Sequence, residues 1–323
     1  MSRLIFADAG DSARSVDSFA ACPFIGGVQV FENLNELSET DESFGLALGV
    51  FDGVHLGHQA VLNAARGFEK LGVLTFEPHP VQVLAPDRAP RRILANLEHK
   101  KRILQSLGVD FVVIVNFTRE FAAREAGGFA EQLFASGVKR LAAGEDWSFG
   151  KERVGNMTRL AEWGGEAGVE ISAVGAVKLD GERISSTRIR QCLRDENLEG
   201  AAAMLGRPYS VFGEVVKGRQ LGRTLGFPTA NVTVSEEQLP PNGVYVVEGN
   251  GMKGVANIGT RPTVDDSMRR SLEVHLFSDE VPMEYGWDLE VGFLEKIRDE
   301  LKFSTVEELK VQIGKDVELA KLE

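Results

Sequence analysis

Cysteine is nearly absent from this chain. Among 323 residues only Cys22 and Cys192 occur, too few for a disulfide framework and not spaced as a metal site. That scarcity points to a reducing compartment. Long apolar runs are missing too: no stretch reaches the ~18 apolar residues of a membrane span. The opening MSRLIFADAGDSARS has one early Arg and no long apolar core behind it. The expectation is a cytoplasmic protein without a membrane partner, in which the Asn-x-Thr triplets at Asn156 and Asn231 carry no glycan. Positive charge is the third shortage. With 36 Lys and Arg against 48 Asp and Glu, the formal charge is −12, the wrong sign for a dedicated nucleic-acid binder, which must replace phosphate counterions. The parts on either side of residue 206 hold 22 basic against 28 acidic residues and 14 against 20, so neither is a basic arm or an acidic tail. No repeat or low-complexity linker separates them.

What is present is the composition of a globular protein with a real core, 43% hydrophobic and 26% charged, at a length suited to two domains. Its 35 glycines exceed the usual ~7%, so the backbone turns sharply or approaches a ligand in several places. From residue 44, apolar runs alternate with helical patterns. FGLALGVF (44–51), GVLTF (72–76), FVVIVNF (111–117) and VKRLAAG (138–144) read as strands, and residues 57–68, 97–107 and 129–136 carry helical spacing. This alternation predicts a Rossmann-like α/β domain with a parallel sheet and right-handed crossovers. After Arg207-Pro208 the runs become YSVFGEVV, GVYVVEG, GVANIG, LEVHLF and LEVGFL, broken by Gly and Pro; these predict a small antiparallel barrel or sandwich. Residues 305–321 read as a helix capped by Thr305, with Val306, Leu309, Ile313 and Val317 on one face. The domains are expected over 1–206 and 207–323.

Two segments of the first domain suit anions. GVFDGVHLGH (49–58) falls between the first strand and the first helix, where an open α/β sheet binds ligands and free helix N–H groups attract phosphate. His55 and His58, with Gly57 between them, can donate hydrogen bonds to phosphate oxygens; the plainer alternative is a βα turn with exposed histidines. A zinc site from His55, His58 and His79 lacks cysteine and any His-Glu-x-x-His helix. ISSTRIR (184–190) opens a helical stretch. Hydroxyls there are ordinary caps, but Arg190 stands one turn along and could bridge phosphate oxygens. Residues 183–194 hold four Arg and no acid.

In the second domain no P-loop is present. Lys217, Arg219 and Arg223 have no acid among them up to Asn231, and Thr229 and Asn231 are oxygen donors two residues apart, on one side of an extended strand. Hard oxygen donors beside phosphate suit magnesium; a Gly-rich β loop is the alternative. The segment Gly249–Gly254 satisfies G-x-G-x-x-G but lies between two strand-like runs, which makes it a hairpin turn. A further basic stretch, residues 88–102, has no motif and reads as a solvated helical surface.

These residues resemble the bifunctional riboflavin kinase/FAD synthetases of bacteria. GVFDGVHLGH is similar to the family's His-x-Gly-His nucleotidyltransferase signature, ISSTRIR to its Ser/Thr-Arg phosphate motif, and TFEPHP (75–80) and GEDWSFGKERVGN (144–156) to two intervening signatures. GRTLGFPTAN (222–231) resembles the riboflavin kinase signature, with further matches at PPNGVY (240–245), ANIGTRPT (256–263), LEVHLF (272–277) and FLEKIRDELKF (293–303). The resemblance covers residues 44–320 and implies two reactions, riboflavin plus ATP to FMN, then FMN plus ATP to FAD and pyrophosphate.

On that resemblance, Gly49, Phe51, Asp52, Gly53 and Gly57 line a nucleotide loop and His55 and His58 hold ATP phosphate oxygens. Ser185, Ser186 and Thr187 grip phosphates, Arg190 neutralises charge growing toward pyrophosphate, Asp146 helps bind substrate or metal, and Glu77 is a helper. In the kinase, Gly218, Arg219, Gly222, Arg223, Gly226 and Pro228 shape the nucleotide loop, and Thr229 and Asn231 bind Mg2+ with ATP. Glu273 would be the general base for the riboflavin 5′-hydroxyl, a neutral alcohol that needs one. ATP, riboflavin and FMN are the implied partners, with a homo-oligomer left open. The chain departs from the family at Val264-Asp265 and at Met283-Glu284-Tyr285-Gly286, where loops around the flavin are expected to differ in shape.

Overall fold

A computed structural model describes residues 5–7, 27–39, 42–218, 226–234, 236–262, 268–277 and 285–322. The described chain forms two compact units. One takes the residues up to Arg91 together with Lys100–Ser185; the other takes Arg92–His99 and the chain from Ser186 onward.

The first unit realises the alternating pattern. Strands β1 (Ile5–Ala7), β2 (Gln29–Phe31), β3 (Phe44–Leu48), β4 (Lys70–Glu77), β5 (Phe111–Asn116) and β6 (Arg140–Gly144) lie in one sheet. Two short strands, β7 (Ser148–Phe149) and β8 (Gly155–Asn156), pair with each other, and β9 (Glu170–Val174) rejoins the main sheet. The order is β1-β9-β6-β3-β4-β5-β2, and every neighbouring pair is parallel. All five residues of β3 are buried, as are Leu71–Phe76 of β4. Such unbroken apolar runs belong to strands covered on both faces. Helix Leu56–Ala65 buries Val61, Leu62 and Ala65. From β3 the chain adds β4 and β5 on one side, then crosses to β6 and β9 on the other, so the order reverses between β3 and β6. Outside the carboxyl ends of strands at such a reversal lies the ligand crevice of an open α/β sheet. Gly49 follows β3 and Glu145-Asp146 follows β6. The remaining pair in this unit is β10 (Lys178–Leu179) with β11 (Glu182–Arg183).

The second unit is a closed antiparallel barrel. Its strands are β12 (Tyr209–Val216), β13 (Ala230–Val232), β14 (Gly243–Gly249), β15 (Met252–Pro262), β16 (Met268–Leu276) and β17 (Asp288–Arg298), in the order β12-β13-β16-β15-β14-β17. Alternate residues fill the inside, among them Val211, Ile258, Val274, Val291 and Phe293, all buried. Two buried tyrosines reach out of this interior to backbone carbonyls, Tyr209 to Gln238 and Tyr245 to Pro241, each at 2.7 Å, as buried phenols require. The Gly249–Gly254 segment is the hairpin its sequence indicates. Gly249 pairs with Met252, and Asn250 and Gly251 have φ of 46° and 82°, the two left-handed residues of a tight β turn.

The terminal helix Val306–Leu322 lays Val317 and Ala320 against Val246 and Val255 on the outer barrel face. Thr305 caps it, its hydroxyl accepting from the Glu308 amide at 3.1 Å. Val306, expected on the buried face, is half exposed, since the apolar contacts begin two turns later at Ile313.

Segment Arg92–His99 belongs to this second unit. Ile93 donates its amide to the Glu236 carbonyl and accepts from Gln238. Asn96 bonds the Glu237 carboxylate through its amide and the Phe212 carbonyl through its side chain. His99 stands between two carboxylates. Its Nδ1 lies 2.6 Å from Glu237 Oε1, and its Nε2 lies 3.2 Å from Glu290 Oε1 and 3.1 Å from Ser210 Oγ. Charges this deep persist only when paired and hydrogen-bonded.

Candidate active sites

In the first unit the loop leaving β3 is under strain. Phe51, Gly53 and Val54 have φ of 54°, 80° and 44°. Glycine adopts that region freely, but a bulky Phe and a β-branched Val there are outliers. Both are fully buried, so packing holds them in place. Strain of this kind collects at functional sites.

The loop delivers two imidazoles to the start of helix Leu56–Ala65. His55 is the N-cap, its Nδ1 accepting from the His58 amide at 3.3 Å, which leaves Nε2 to carry the ring proton. The His55 and His58 rings stack with centroids 3.6 Å apart and planes 12° apart. His58 Nδ1 is buried and has no hydrogen-bond partner among the described residues. Burial, then the neighbouring His55, Lys100 and Arg183, holds the His58 pKa well below its ordinary value. Two stacked rings at a helix N-terminus, amid cationic neighbours, suit phosphate oxygens.

Asp52 is buried. A Cβ on Gly57 would stand 3.1 Å from the His55 ring and 4.0 Å from the Ile184 carbonyl, so the start of ISSTRIR borders the histidine loop. Asp146 accepts from Arg183 at 2.7 Å, a bond that lowers its pKa. Arg183 is therefore ion-paired rather than an open cation. Glu77 ends β4 with its side chain exposed. Ser185 closes the first unit, whereas Ser186, Thr187 and Arg190 lie on helix Ser186–Arg194, which belongs to the second. Arg190 is buried and donates through Nε to the Arg92 carbonyl at 3.0 Å.

In the barrel, register builds the second site. Asn231 of β13 pairs with Glu273 of β16, and Glu273 pairs on its other side with Asn257 of β15. The flanking Ala230, Val232, Leu272, Val274, Ala256 and Ile258 are all buried inside. The three polar residues therefore form a row across the outer face. His275, two residues along from Glu273, pairs its Nδ1 with the Pro228 carbonyl at 2.8 Å and meets Phe227 edge-on. That contact anchors the stretch entering Thr229. Gly218 closes in from the end of β12, where a Cβ would stand 2.0 Å from the Asn231 amide. Only glycine fits. Asn231 Oδ1 is buried without a hydrogen-bond partner among the described residues. An orphaned oxygen of this kind, with the Thr229 hydroxyl two residues away, is a hard donor set that fits magnesium.

Arg219, Gly222 and Arg223 lie outside the described residues, as do Val264-Asp265 and Met283-Glu284; Gly226 is described, with φ of 89°. Sequence reasoning passed over Asn257 and His275 as site residues, although both lie inside quoted motifs. The basic stretch 88–102 is expected to be a solvated surface, whereas Lys100 is buried, as is His99.

Residues 37–188 match the FAD synthetase family and residues 205–322 match the riboflavin kinase family. A bifunctional riboflavin kinase/FMN adenylyltransferase of Escherichia coli K12 is 43% identical over 305 residues, covering 90% of this chain and 96% of that one. The chain belongs to the bifunctional riboflavin kinase/FMN adenylyltransferase family. It phosphorylates riboflavin to FMN and adenylylates FMN to FAD. A Listeria monocytogenes member is 40% identical over 290 residues, covering 86% of this chain and 91% of that one. Among solved structures, a Streptococcus pneumoniae chain described as a macrolide-efflux protein has a TM-score of 0.76 at 29% identity, covering 91% of this chain and 98% of that one. Among the described residues no helix is long and apolar enough to cross a membrane.

Proposed function

We propose that this bifunctional enzyme adenylylates FMN at the Gly49–His58 loop and phosphorylates riboflavin at the Asn231–Glu273 row. ATP is the donor to both reactions, with Mg2+ its companion, and the work divides between residues 1–206 and 207–323. The two cysteines suit the reducing cytoplasm.

For adenylyl transfer the nucleophile arrives already charged, because a phosphate monoester has a second pKa of about 6. No base is needed; positioning and charge stabilisation do the chemistry. His55 and His58 hold ATP phosphate oxygens, with Gly49, Phe51, Asp52, Gly53 and Gly57 shaping the floor beneath. Ser185, Ser186 and Thr187 grip phosphates, Arg190 offsets charge moving toward pyrophosphate, and Asp146 assists at the substrate or metal. The stacked imidazole pair at the strand-order reversal supports this reading.

For phosphorylation the nucleophile is a neutral alcohol, so Glu273 accepts the proton of the riboflavin 5′-hydroxyl. Thr229 and Asn231 hold the magnesium, which when bound offsets phosphate charge. Gly218, Arg219, Gly222, Arg223, Gly226 and Pro228 form the nucleotide loop. The observation that carries this half is the pairing of Asn231 with Glu273, together with the unpartnered Asn231 Oδ1.

The test incubates the full chain with riboflavin and ATP, with and without Mg2+, and resolves FMN and FAD by chromatography. Both products are expected with the metal. Phosphorylation at an undiminished rate after chelation would remove Thr229 and Asn231 as metal ligands.

A further inference from the structure

Lys100 belongs to none of the motifs, yet it is 5% exposed. It stands on helix Leu97–Ser106, and its Nζ donates to the Val50 carbonyl at 3.0 Å while lying 3.5 Å from Thr75 Oγ1. Thr75, fully buried on β4, donates through the same hydroxyl to the same carbonyl at 2.9 Å. One backbone oxygen therefore takes two donors from two different elements. Burying an ammonium is costly. Burial draws the Lys100 pKa below its ordinary value, and the Asp52 and Glu77 carboxylates oppose that shift.

The place of this cation is telling. Val50 immediately precedes Phe51 and lies four residues before Val54, the two buried side chains held in left-handed backbone. Such backbone survives only where its surroundings over-determine it. A second donor on a carbonyl already bonded to Thr75 is one such constraint. The charge of Lys100 also reaches the imidazole pair, since it acts on His58 together with His55 and Arg183.

We infer that Lys100 is a positioning residue for FMN adenylylation, holding the Val50 carbonyl so that the strained Gly49–Val54 turn presents His55 and His58, and setting a positive floor beneath them. The inference rests on the reading of that loop as the adenylyl-transfer site.

The test uses full-length Lys100→Met, which keeps the apolar stem and removes the ammonium. FAD formation from supplied FMN is expected to fall about 10–100-fold, the scale of a small misplacement at a reacting centre. Riboflavin phosphorylation by the same molecules should stay within about twofold, as independent sites do, and serves as the folding control. A second readout is the titration of the His58 ring by NMR in the ligand-free protein, assigned through its loss in His58→Gln. Its midpoint should rise in Lys100→Met, because a positive neighbour has gone; a midpoint left in place would overturn the positive floor assigned to Lys100.

Should Lys100→Met fail to fold, Thr75→Val decides. It removes the other donor while keeping the charge, so reduced FAD formation with unchanged phosphorylation supports the brace, and unchanged FAD formation overturns it. Wild-type FAD formation in Lys100→Met beside an inactive His58→Ala overturns the inference and leaves the site reading standing. Full FAD formation in His58→Ala removes both.

Discussion

His99 Nδ1 lies 2.6 Å from Glu237 Oε1, a buried pair joining residues 138 positions apart in sequence. Burial by itself would discharge the imidazole. Hydrogen bonds and charge from Glu237 and Glu290 outweigh it and lift the His99 pKa from 6.5 to about 9. Glu290 is half-buried, which alone would raise its pKa, yet its bond to the His99 cation draws it from 4.5 down to about 2.

The first prediction is the pH dependence of stability. The His99 pKa is raised on folding, so its contribution is complete below pH 6.5 and is lost as pH rises through about 9. The Glu290 pKa is depressed, so its contribution is complete above pH 4.5 and is lost as pH falls through about 2. Both act fully between pH 4.5 and 6.5. In urea unfolding, His99→Gln should lose about 3–5 kcal/mol in that window, the cost of leaving buried carboxylates unpaired. It should also lose the alkaline decline. A variant with the wild-type pH profile would exclude this pair as its source.

Glu273→Gln tests the base. It should lower FMN formation from riboflavin about 10²–10⁴-fold, the range for a general base, while FAD formation from supplied FMN persists. Loss of both activities in a folded variant would contradict separate sites.

His58→Ala should give the opposite pattern. FAD formation from FMN is expected to drop about 10²–10³-fold, as when one donor to a developing charge is removed. Riboflavin phosphorylation should continue, with FMN accumulating in the coupled assay; FAD appearing at the normal rate would rule out His58.

Gly218→Ala probes the orphaned amide. Its methyl would stand 2.0 Å from the Asn231 side chain, so the amide must swing away from its position. Riboflavin phosphorylation should fall about 10²-fold, as for a displacement of roughly 1 Å, with more Mg2+ needed for half-maximal rate. A normal magnesium dependence would show that Asn231 does not need this wall.

The sheet and barrel were legible where hydrophobic period decides structure. The run of β3 is apolar throughout because both its faces are covered, and YSVFGEVV matches β12 residue for residue. Strand β9 has no signature in the hydrophobic pattern. Its Ile171-Ser172-Ala173-Val174 is short and buried on both faces, so it shows no alternation and carries a polar residue inside. The histidine loop and the Thr229–Asn231 pair were legible because their chemistry is compressed into a few neighbouring positions. Lys100 was not. Its partners at Val50 and Thr75 lie 50 and 25 residues away, and in a run of Lys and Arg nothing local marks the one that turns inward. For His99 the distances are longer still, and its neighbours in sequence offer no carboxylate at helical spacing.

The location of His99 bears on how separable the two enzymes are. A fragment beginning at residue 207 would contain every residue of the proposed kinase site and every strand of the barrel. It would nevertheless lack the imidazole that bridges Glu237 and Glu290, leaving both carboxylates without that partner. The proposed kinase site is thus contiguous in sequence while its compact unit is not, since that unit takes an eight-residue strip, Arg92–His99, from within the sequence of its neighbour. A gene cut at the family boundary would separate the activities on paper and strand a charge in practice.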